Sequence, residues 1–383
     1  MQKIIFVSNT SWYIYNFRLS ILKLFLSKNF EVICIANIDD YSAKLTENGV
    51  TFIESSLANK GKNPFGDYAY YKFLYNIYLE IKPALIFHYT IKPNIYGSMA
   101  ASKAGIPSIA IVSGAGYVFL HENWLTKITK RLYTKAASKC TEMWFVNKED
   151  QSMFEQQKIV DSAKTKVLPG EGINTELFKR DDPYPVNNKE FVFLLGGRML
   201  WDKGVGVYVE AAKLIREKYP CAKFQLLGFI DDLNPSSISK EQIVDWANKG
   251  IVEYLGVTDN VKFFLNKINC FVLPSYYKEG VPKSLLEAAS MELPLITTDN
   301  IGCREVVEDG YNGFLCTVKD SGSLAEKMEK MICMQKEDLI NMGIRGRKKV
   351  TENFHENLVL DYYVNTINKY LSTSVDYLRA IKN

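Results

Sequence analysis

Residues 194–204 read L-L-G-G-R-M-L-W-D-K-G, and the pattern around them decides the fold. The apolar run that predicts a buried strand begins at residue 191, two glycines end it, and a helical pattern follows. Short apolar runs recur on both sides, with helical periodicity between them. Such alternation predicts parallel sheets wrapped by helices, an α/β fold. The runs assigned to strands are 4–7, 32–36, 84–87, 108–112, 143–146 and 166–168 in the first half, and 191–195, 224–227, 251–255, 270–273, 293–297 and 313–315 in the second.

A polar stretch, K-R-D-D-P-Y-P-V-N-N-K-E at 179–190, separates the two series of runs. It holds two prolines and no apolar period, which is typical of a linker. We therefore predict two Rossmann-like βαβ domains, residues 1–182 and 183–360, and a C-terminal helix at 361–383 that crosses back to the first domain. Ligands of such folds lie at the carboxyl ends of the strands, so we expect the two domains to face each other across a catalytic cleft.

The composition excludes several classes of protein. The chain has 383 residues, 47% of them apolar and 13% aromatic, which is too much core-forming material for a disordered, collagen-like or small disulfide-rich chain. Seven scattered cysteines indicate a reducing compartment. Three histidines, without C-x-x-C or H-x-x-x-H spacing, give no reason to expect a metal site. The apolar run at the N-terminus is too short for a signal peptide or a membrane span.

Charge is divided unequally along the chain. Lys and Arg number 22 against 15 acidic residues through Arg180, a balance of +7, and 25 against 28 afterwards, a balance of −3. The basic half suits a partner that is anionic, although a solvated surface gives the same count. Nucleic acid is not the partner that we expect.

Arg198 and Lys203 stand five residues apart behind the strand that opens the second domain. An arginine fork and a lysine ammonium together neutralise a diphosphate well. The alternative is a strand end that carries solvated bases. The motif therefore favours, without proving, a phosphate-binding site.

A second stretch, P-S-Y-Y-K-E-G-V-P-K-S-L-L-E at 274–287, predicts a strand end, a tight turn and a helix. Backbone amides after Gly280 can point at an anion from the start of that helix. Glu279 lies on the loop, where it can reach a sugar hydroxyl. Glu287 lies in the helix, where it can accept the two hydroxyls of a ribose.

The two stretches together resemble the retaining nucleotide-sugar glycosyltransferases of family 4, which have the GT-B fold of two Rossmann-like domains. Further similar pieces are L-P-G-E-G-I-N-T-E-L-F at 168–178 and I-G-C-R-E-V-V-E-D-G-Y-N-G-F-L at 301–315. The resemblance implies metal-independent transfer from a nucleotide sugar, which is a substrate, and no cofactor. It implies donor binding by Gly197, Arg198, Lys203, Glu279, Gly280, Val281, Pro282 and Glu287, with Gly116 approaching from the first domain, and catalytic roles for Glu279, Arg198, Lys203 and His88.

A narrower resemblance concerns the bacterial branch that builds capsule, O-antigen and undecaprenyl-diphosphate-linked oligosaccharides, including N-acetylgalactosaminyltransferases. The similar pieces are S-N-T-S-W-Y-I-Y-N-F-R at 8–18, H-Y-T-I-K-P-N-I-Y-G at 88–97, V-S-G-A-G-Y-V-F at 112–119 and N-P-S-S-I-S at 234–239. They imply a UDP-sugar donor, with N-acetylgalactosamine as the expected sugar, and a lipid-diphosphate-linked saccharide acceptor. Where many family members have a glycine pair after the first strand, this chain has Asn9, Thr10 and Ser11.

The expected acceptor site belongs to the first domain. We assign it to Asn16, Arg18, His88, Lys92 and Ser113. The glycine-rich turn at 113–116 can bring backbone close to a ligand, although a tight turn needs none. His88 follows a predicted strand, where substrate contact and simple packing are equally reasonable interpretations.

Residues 123–139, N-W-L-T-K-I-T-K-R-L-Y-T-K-A-A-S-K, predict a basic amphipathic helix. Such a helix can rest on anionic lipid, with Trp124, Lys127, Lys130 and Arg131 as the contacts. Packing of its apolar stripe on the sheet is the alternative. We expect a cytoplasmic protein that is peripherally attached to the inner face of the cell membrane.

Two other functions remain open from the sequence. A nucleotide-sugar epimerase would use the same fold, and an inactive protein could bind a sugar nucleotide without transferring the sugar. A nicotinamide oxidoreductase is disfavoured because residues 7–18 contain no G-x-G-x-x-G.

Overall fold

The computed structural model of the chain describes residues 1–55, 63–114, 124–181, 184, 190–231, 234–277 and 279–371, without the side chains of residues 124 and 125. It divides into two compact units. Unit 1 comprises Met1–Glu171 with Asn357–Asn383, and unit 2 comprises Gly172–Glu356.

The chain leaves unit 1 earlier than the linker composition suggests. Residues 172–181 belong to unit 2, where Arg347 donates hydrogen bonds to the carbonyl oxygens of Thr175, at 3.0 Å, and Phe178, at 3.1 Å. These bonds hold the segment against unit 2 although its composition is polar. Most of the proline-containing part, 182–183 and 185–189, lies outside the described residues.

Within the described residues, unit 1 contains a seven-stranded parallel sheet in the order β3-β2-β1-β4-β5-β6-β7. Its strands are β1 (Lys3–Thr10), β2 (Glu31–Asn37), β3 (Thr51–Glu54), β4 (Leu85–Tyr89), β5 (Ser108–Val112), β6 (Glu142–Phe145) and β7 (Thr165–Val167). Its helices are α1 (Ser11–Ser27), α2 (Tyr41–Glu47), α3 (Pro64–Ile81), α4 (Ser98–Lys103), α5 (Trp124–Lys139), α6 (Lys148–Gln156) and α14 (Glu356–Leu371), with a π-helical turn at Pro93–Gly97 and a 3-10 turn at Ser162–Lys164.

The centre of this sheet is buried on both faces. Every residue of β4 and β5 is buried, as expected for strands covered by helices on each side. β1 continues to β2 on one side, whereas β4, its other neighbour, continues to β5 on the opposite side. The carboxyl ends of β1 and β4 therefore border the switch point, where ligands of such sheets bind.

Helix α14 packs onto unit 1 after the chain has passed through unit 2. Val359, Tyr363 and Ile367 belong to the same apolar cluster as the central strands. The Tyr363 ring lies 4.9 Å from Phe87 and 5.2 Å from Trp144, centroid to centroid. The helix is described through Leu371, and residues 372–383 lie outside the described part of the chain.

Unit 2, as far as it is described, contains a six-stranded parallel sheet in the order β10-β9-β8-β11-β12-β13. Its strands are β8 (Phe191–Gly196), β9 (Ala222–Leu227), β10 (Glu253–Tyr254), β11 (Cys270–Leu273), β12 (Leu295–Thr298) and β13 (Gly313–Cys316). Its helices are α7 (Val205–Lys218), α8 (Lys240–Asn248), α9 (Val261–Leu265), α10 (Lys283–Ser290), α11 (Cys303–Val306), α12 (Ser321–Cys333) and α13 (Lys336–Phe354), with a 3-10 turn at Trp201–Lys203.

The parallel α/β architecture expected from the sequence is confirmed in both units. β3 was not among the predicted strands, because this edge strand has no fully buried residue and its apolar pattern is weak. Among the helices that are described, none combines the length and apolarity needed to cross a bilayer.

Candidate active site

The first part of the site follows β8 in unit 2. The strand ends at Gly196, and the chain then forms the 3-10 turn that carries Lys203 before α7 begins. Gly204 closes this turn with φ +78°, and a Cβ there would lie 2.0 Å from the carbonyl oxygen of Pro274. A glycine at this position therefore lets the Lys203 turn lie directly against the loop that follows β11.

Lys203 and Glu279 meet at the carboxyl ends of β8 and β11. The Lys203 Nζ atom lies 2.5 Å from the Glu279 Oε1 atom, and their side chains are only 16% and 9% exposed. Ser275 donates a second hydrogen bond to the same carboxylate oxygen, at 2.8 Å. The structure thus brings together two predicted site residues, at a position that is largely shielded from solvent.

Backbone hydrogen bonds hold the two loops in register. The carbonyl oxygen of Asp202 accepts from the amides of Tyr276, at 2.9 Å, and Tyr277, at 3.0 Å. Because Asp202 precedes Lys203, these bonds fix the height of the ammonium relative to the loop that carries Glu279.

A third loop, after β12, supports the Glu279–Gly280 turn from behind. Asn300 donates to the carbonyl oxygen of Tyr277 at 2.8 Å, and Thr298 donates to that of Ser275 at 2.5 Å. Gly302 has φ +76°, and a Cβ there would lie 1.7 Å from the carbonyl oxygen of Gly280.

These supporting residues were not predicted from the sequence. Their signal in the sequence is weak, because it consists of small or polar residues directly after apolar runs. The residues are Asp202, Ser275, Thr298, Asn300 and Gly302.

Arg198 follows Gly197 and has a different partner. Its Nη1 atom lies 3.5 Å from the Asp231 Oδ2 atom, and its side chain is 38% exposed. The guanidinium is therefore held loosely by one carboxylate and retains donors for a ligand.

Glu287 lies on α10, one helical turn after Lys283. The Lys283 Nζ atom is 4.0 Å from the Glu287 Oε1 atom. Burial raises the pKa of the Glu287 carboxyl, and the charge of Lys283 offsets part of that rise. Val281 and Pro282 are buried where they lead into this helix, and Gly280 is half-buried.

In unit 1, His88 lies inside the protein. The side chain is fully buried in β4, and its Nε2 atom lies 2.9 Å from the Tyr78 hydroxyl. Burial lowers the pKa of His88 to about 3, so the ring is neutral at physiological pH. These are the contacts of a packing residue, and we replace the expected catalytic and acceptor-binding roles with a structural one.

Arg18 is also buried rather than presented to a ligand. Its guanidinium pairs with the Glu171 carboxylate, donates to the Tyr13 hydroxyl at 2.7 Å and lies 4.6 Å from the centre of the Tyr89 ring. A buried arginine with these partners holds α1 to the end of unit 1. We therefore correct its expected acceptor-binding role to a structural one.

The other expected acceptor residues are more accessible. Asn16 donates to the carbonyl oxygen of Trp12 at 2.9 Å, and Lys92 pairs with Asp67 on α3 at 2.9 Å. Ser113 follows β5 directly and is half-buried. Gly116 lies outside the described residues.

Helix α5 exposes much of its basic face. Lys127 and Arg131 are exposed, Lys130 is half-buried, and Ile128 is 43% exposed. The apolar stripe that the sequence suggested is therefore not simply the packing face of this helix. The side chain of Trp124 lies outside the described part of the chain.

No metal site is expected from the sequence. Among the residues that the structure describes, no three His, Cys, Asp or Glu side chains converge to hold an ion.

Comparison with known proteins identifies the family. Residues 178–349 match the family described as Glycosyl transferases group 1, and residues 3–147 match the family described as Glycosyl transferase 4-like. Over the full length of both chains, the protein is 28% identical to the N,N'-diacetylbacillosaminyl-diphospho-undecaprenol α-1,3-N-acetylgalactosaminyltransferase of Campylobacter jejuni. It is 26% identical to the UDP-Gal:α-D-GlcNAc-diphosphoundecaprenol α-1,3-galactosyltransferase of Escherichia coli, over 74% of each chain.

Solved structures support the fold. HepE of Anabaena, crystallised with UDP and glucose, superposes with a TM-score of 0.79 at 16% identity, over 96% of this chain and 100% of that one. Sucrose-phosphate synthase of Thermosynechococcus elongatus superposes with a TM-score of 0.81 at 14% identity, over 98% of this chain and 100% of that one. With both halves of the chain matched, the protein belongs to the group 1 and 4-like glycosyltransferases and is a glycosyltransferase of the GT-B fold.

Proposed function

We propose that this glycosyltransferase transfers an N-acetylhexosamine, with N-acetylgalactosamine as the first choice, from a UDP-sugar to a polyprenyl-diphosphate-linked saccharide. The Lys203–Glu279 pair at the strand ends of unit 2 is the observation that supports binding of the UDP-sugar there. The sugar and acceptor are supported by the names of the C. jejuni and E. coli relatives, both of which describe acceptors linked to undecaprenol through a diphosphate.

Lys203 and Arg198 supply the positive charge that a donor diphosphate needs. Without a donor, each base pairs with a carboxylate, Lys203 with Glu279 and Arg198 with Asp231. A diphosphate that enters the site attracts both cations to its oxygens, because its two negative charges attract a cation more strongly than the single charge of a carboxylate does. Glu279 is then released from Lys203 and becomes available to a hydroxyl of the donor sugar.

The transfer step retains the anomeric configuration. The bond between the anomeric carbon and the β-phosphate oxygen breaks, and its electron pair leaves with UDP. The acceptor hydroxyl oxygen bonds to the anomeric carbon on the same face, and its proton passes to the departing phosphate. Lys203 and Arg198 stabilise the charge that develops on UDP, without a divalent metal or another cofactor.

Glu287 has the chemistry to bind the ribose of UDP. A carboxylate accepts two hydroxyl hydrogen bonds, and this one is oriented by α10 and neighboured by Lys283.

The membrane is the partner that we assign to unit 1, with the active chain attached to the inner face of the cell membrane. Exposed bases on α5 include Lys127 and Arg131 beside the exposed Ile128. On α3, Phe65 is 87% and Tyr68 59% exposed. Bases together with exposed aromatic and aliphatic side chains favour the interface of an anionic bilayer.

This function is tested by measuring nucleotide release from a panel of UDP- and GDP-sugars. Each sugar is assayed with and without polyprenyl-diphosphate saccharides. We expect release of UDP that depends on the acceptor, fastest with UDP-N-acetylgalactosamine. Release with GDP-sugars alone would refute the donor. Conversion of the UDP-sugar without any acceptor would favour the epimerase, and tight UDP binding without any turnover would favour the inactive binding protein.

A further inference from the structure

Thr90, directly after β4, has a left-handed backbone with φ +68°. This conformation is unfavourable for L residues and most of all for β-branched ones. Of the five other described non-glycine residues with positive φ, four stand at the C-terminal ends of helices, where a left-handed residue is common, and the fifth, Lys319, lies in the loop between β13 and α12. The four are Asn29, Lys82, Lys158 and Glu292. Thr90 follows a strand and, within the described ranges, is the only β-branched residue in this conformation.

The strained residue lies at the switch point of the unit 1 sheet. Its Oγ1 atom lies 2.8 Å from the Asn9 Oδ1 atom and also contacts the carbonyl oxygen of Tyr89, so its single proton is shared between two acceptors. The contact with Asn9 joins the carboxyl ends of β4 and β1. This is the crevice where open α/β sheets bind ligands. Residues with strained backbones persist where the surrounding structure holds them, and they cluster at active sites and ligand clamps.

An irregular helical turn follows immediately. The Asn94 amide donates to the carbonyl oxygen of Thr90 at 3.0 Å, where the π-helical turn Pro93–Gly97 begins. The side chain of Asn94 donates to the carbonyl oxygen of Ile111 in β5 at 2.8 Å. Turns of this type are rare and often occur at functional sites. The turn thus anchors the strained backbone between β4 and β5.

The hydrogen bond from Thr90 fixes the amide group of Asn9. Since the oxygen of this amide faces Thr90, its Nδ2 group faces the other way. Both residues are half-buried, and Nδ2 has no protein partner among the residues that the structure describes. A fixed amide donor with an unused N–H pair, at the rim of the crevice, suits a ligand oxygen.

We propose that Asn9 binds a hydroxyl oxygen of the acceptor saccharide and that Thr90 is its positioning residue. This inference rests on the proposed function, from which the acceptor is taken. The left-handed backbone at Thr90 is retained because it aims the hydroxyl at Asn9. Neither residue was assigned by the sequence analysis to acceptor binding, and together they replace the buried His88 and Arg18 in that site.

Thr90→Gly tests whether the strained backbone serves to orient Asn9 or only to form the local fold. Glycine adopts φ +68° without strain, so the fold is retained, while the hydroxyl that orients Asn9 is lost. We expect a melting temperature no lower than that of the wild type, a KM for the lipid-linked acceptor about tenfold higher, and an unchanged KM for the UDP-sugar. Thr90→Ser, which keeps the hydroxyl, restores the acceptor KM. An unchanged acceptor KM in Thr90→Gly would overturn the proposal.

Asn9→Asp tests the donor group itself. The aspartate keeps an oxygen toward Thr90 and replaces the N–H pair with a second oxygen, so the acceptor KM is expected to rise about tenfold or more. Asn48→Asp is the control, because the Asn48 amide only donates to the carbonyl oxygen of Lys44 at the end of α2. A normal acceptor KM in Asn9→Asp would contradict the proposal.

Competition identifies which part of the acceptor Asn9 binds. We expect inhibition by the free saccharide, cleaved from the lipid, to weaken in Asn9→Asp, while inhibition by a short polyprenyl diphosphate that competes with the acceptor, and not with the UDP-sugar, is retained. The reverse pattern would place the diphosphate at Asn9 and overturn the assignment.

If the wild-type enzyme uses no lipid-linked acceptor at all, the proposed function fails. If the wild-type enzyme uses such an acceptor and both variants behave as wild type, only this inference fails.

Discussion

At the scale of single residues, the Lys203–Glu279 pair makes the sharpest prediction. Lys203→Ala removes the cation that we place on the leaving diphosphate, so transfer should fall about 100- to 1,000-fold. Glu279→Gln keeps a hydrogen-bonding side chain but frees Lys203 from its negative partner. It should therefore bind UDP several-fold more tightly than the wild type while transferring the sugar more slowly. Isothermal titration with UDP and rates of UDP release measure the two effects.

Lys213 provides the matched control for Lys203. It lies on α7 with its side chain 41% exposed and pairs with Glu210 on the same helix, so Lys213→Ala should leave both UDP affinity and rate unchanged. Weaker UDP binding in Glu279→Gln would show that the carboxylate does not compete with the diphosphate for Lys203.

His88 makes a prediction about stability rather than catalysis. Its pKa is lowered from 6.5 to about 3 in the folded protein, because the buried ring resists protonation. The unfolded chain therefore binds this proton more readily, and the free energy of unfolding should decrease as the pH falls from 7 to 5. In His88→Gln, which can still hydrogen-bond Tyr78, that decrease should be smaller. Urea denaturation of both proteins at the two pH values measures it, and equal decreases would contradict the assignment.

At the scale of structural elements, the loop after β12 supports the loop after β11. Gly302→Ala places a Cβ against the carbonyl oxygen of Gly280 and should displace the Glu279–Gly280 turn, lowering the transfer rate at least tenfold. Gly310→Ala is matched in backbone strain, with φ +74°, but its Cβ would meet nothing within 4 Å. The positive φ should cost both variants about 1 kcal/mol of stability, the clash with Gly280 should cost Gly302→Ala more, and only Gly302→Ala should lose activity. Equal activities would remove the supporting role of this loop.

The elements also show what the sequence can and cannot predict. Strands such as β4 and β8 are apolar runs of their own, so local patterns suffice to find them. The motifs that predict the donor site depend on the same patterns, since Lys203 and Glu279 lie in the segments that follow β8 and β11. The burial of His88 and Arg18 depends on Tyr78 and Glu171, partners from other elements, and no local pattern records that pairing. β3, half-exposed at a sheet edge, carries too little apolar signal.

At the scale of the whole molecule, the charge difference between the two halves of the sequence acquires a structural meaning. The donor site proposed for the −3 half contains two cations, Arg198 and Lys203, and each is paired with a carboxylate. The +7 half instead carries exposed bases on α5 that have no role in the donor site. In the proposed function, the bulk charge of the first half serves the membrane and the site charge of the second half serves the donor. Separate experiments on membrane binding and on donor binding test the two assignments.

Charge reversal on α5 is that experiment. Changing Lys127, Lys130 and Arg131 to Glu should weaken binding to vesicles of phosphatidylcholine and phosphatidylglycerol by tenfold or more, since each base near an anionic surface contributes about 1 kcal/mol. The same number of reversals at exposed bases of unit 2, Lys213, Lys218 and Lys223, controls for net charge and should weaken binding much less. Both triple variants should transfer sugar normally to a short-chain acceptor in solution, because neither set belongs to the donor site. Equal vesicle binding by the two variants would show that α5 is not the membrane surface, and the exposed aromatic face of α3 would then be the next region to change.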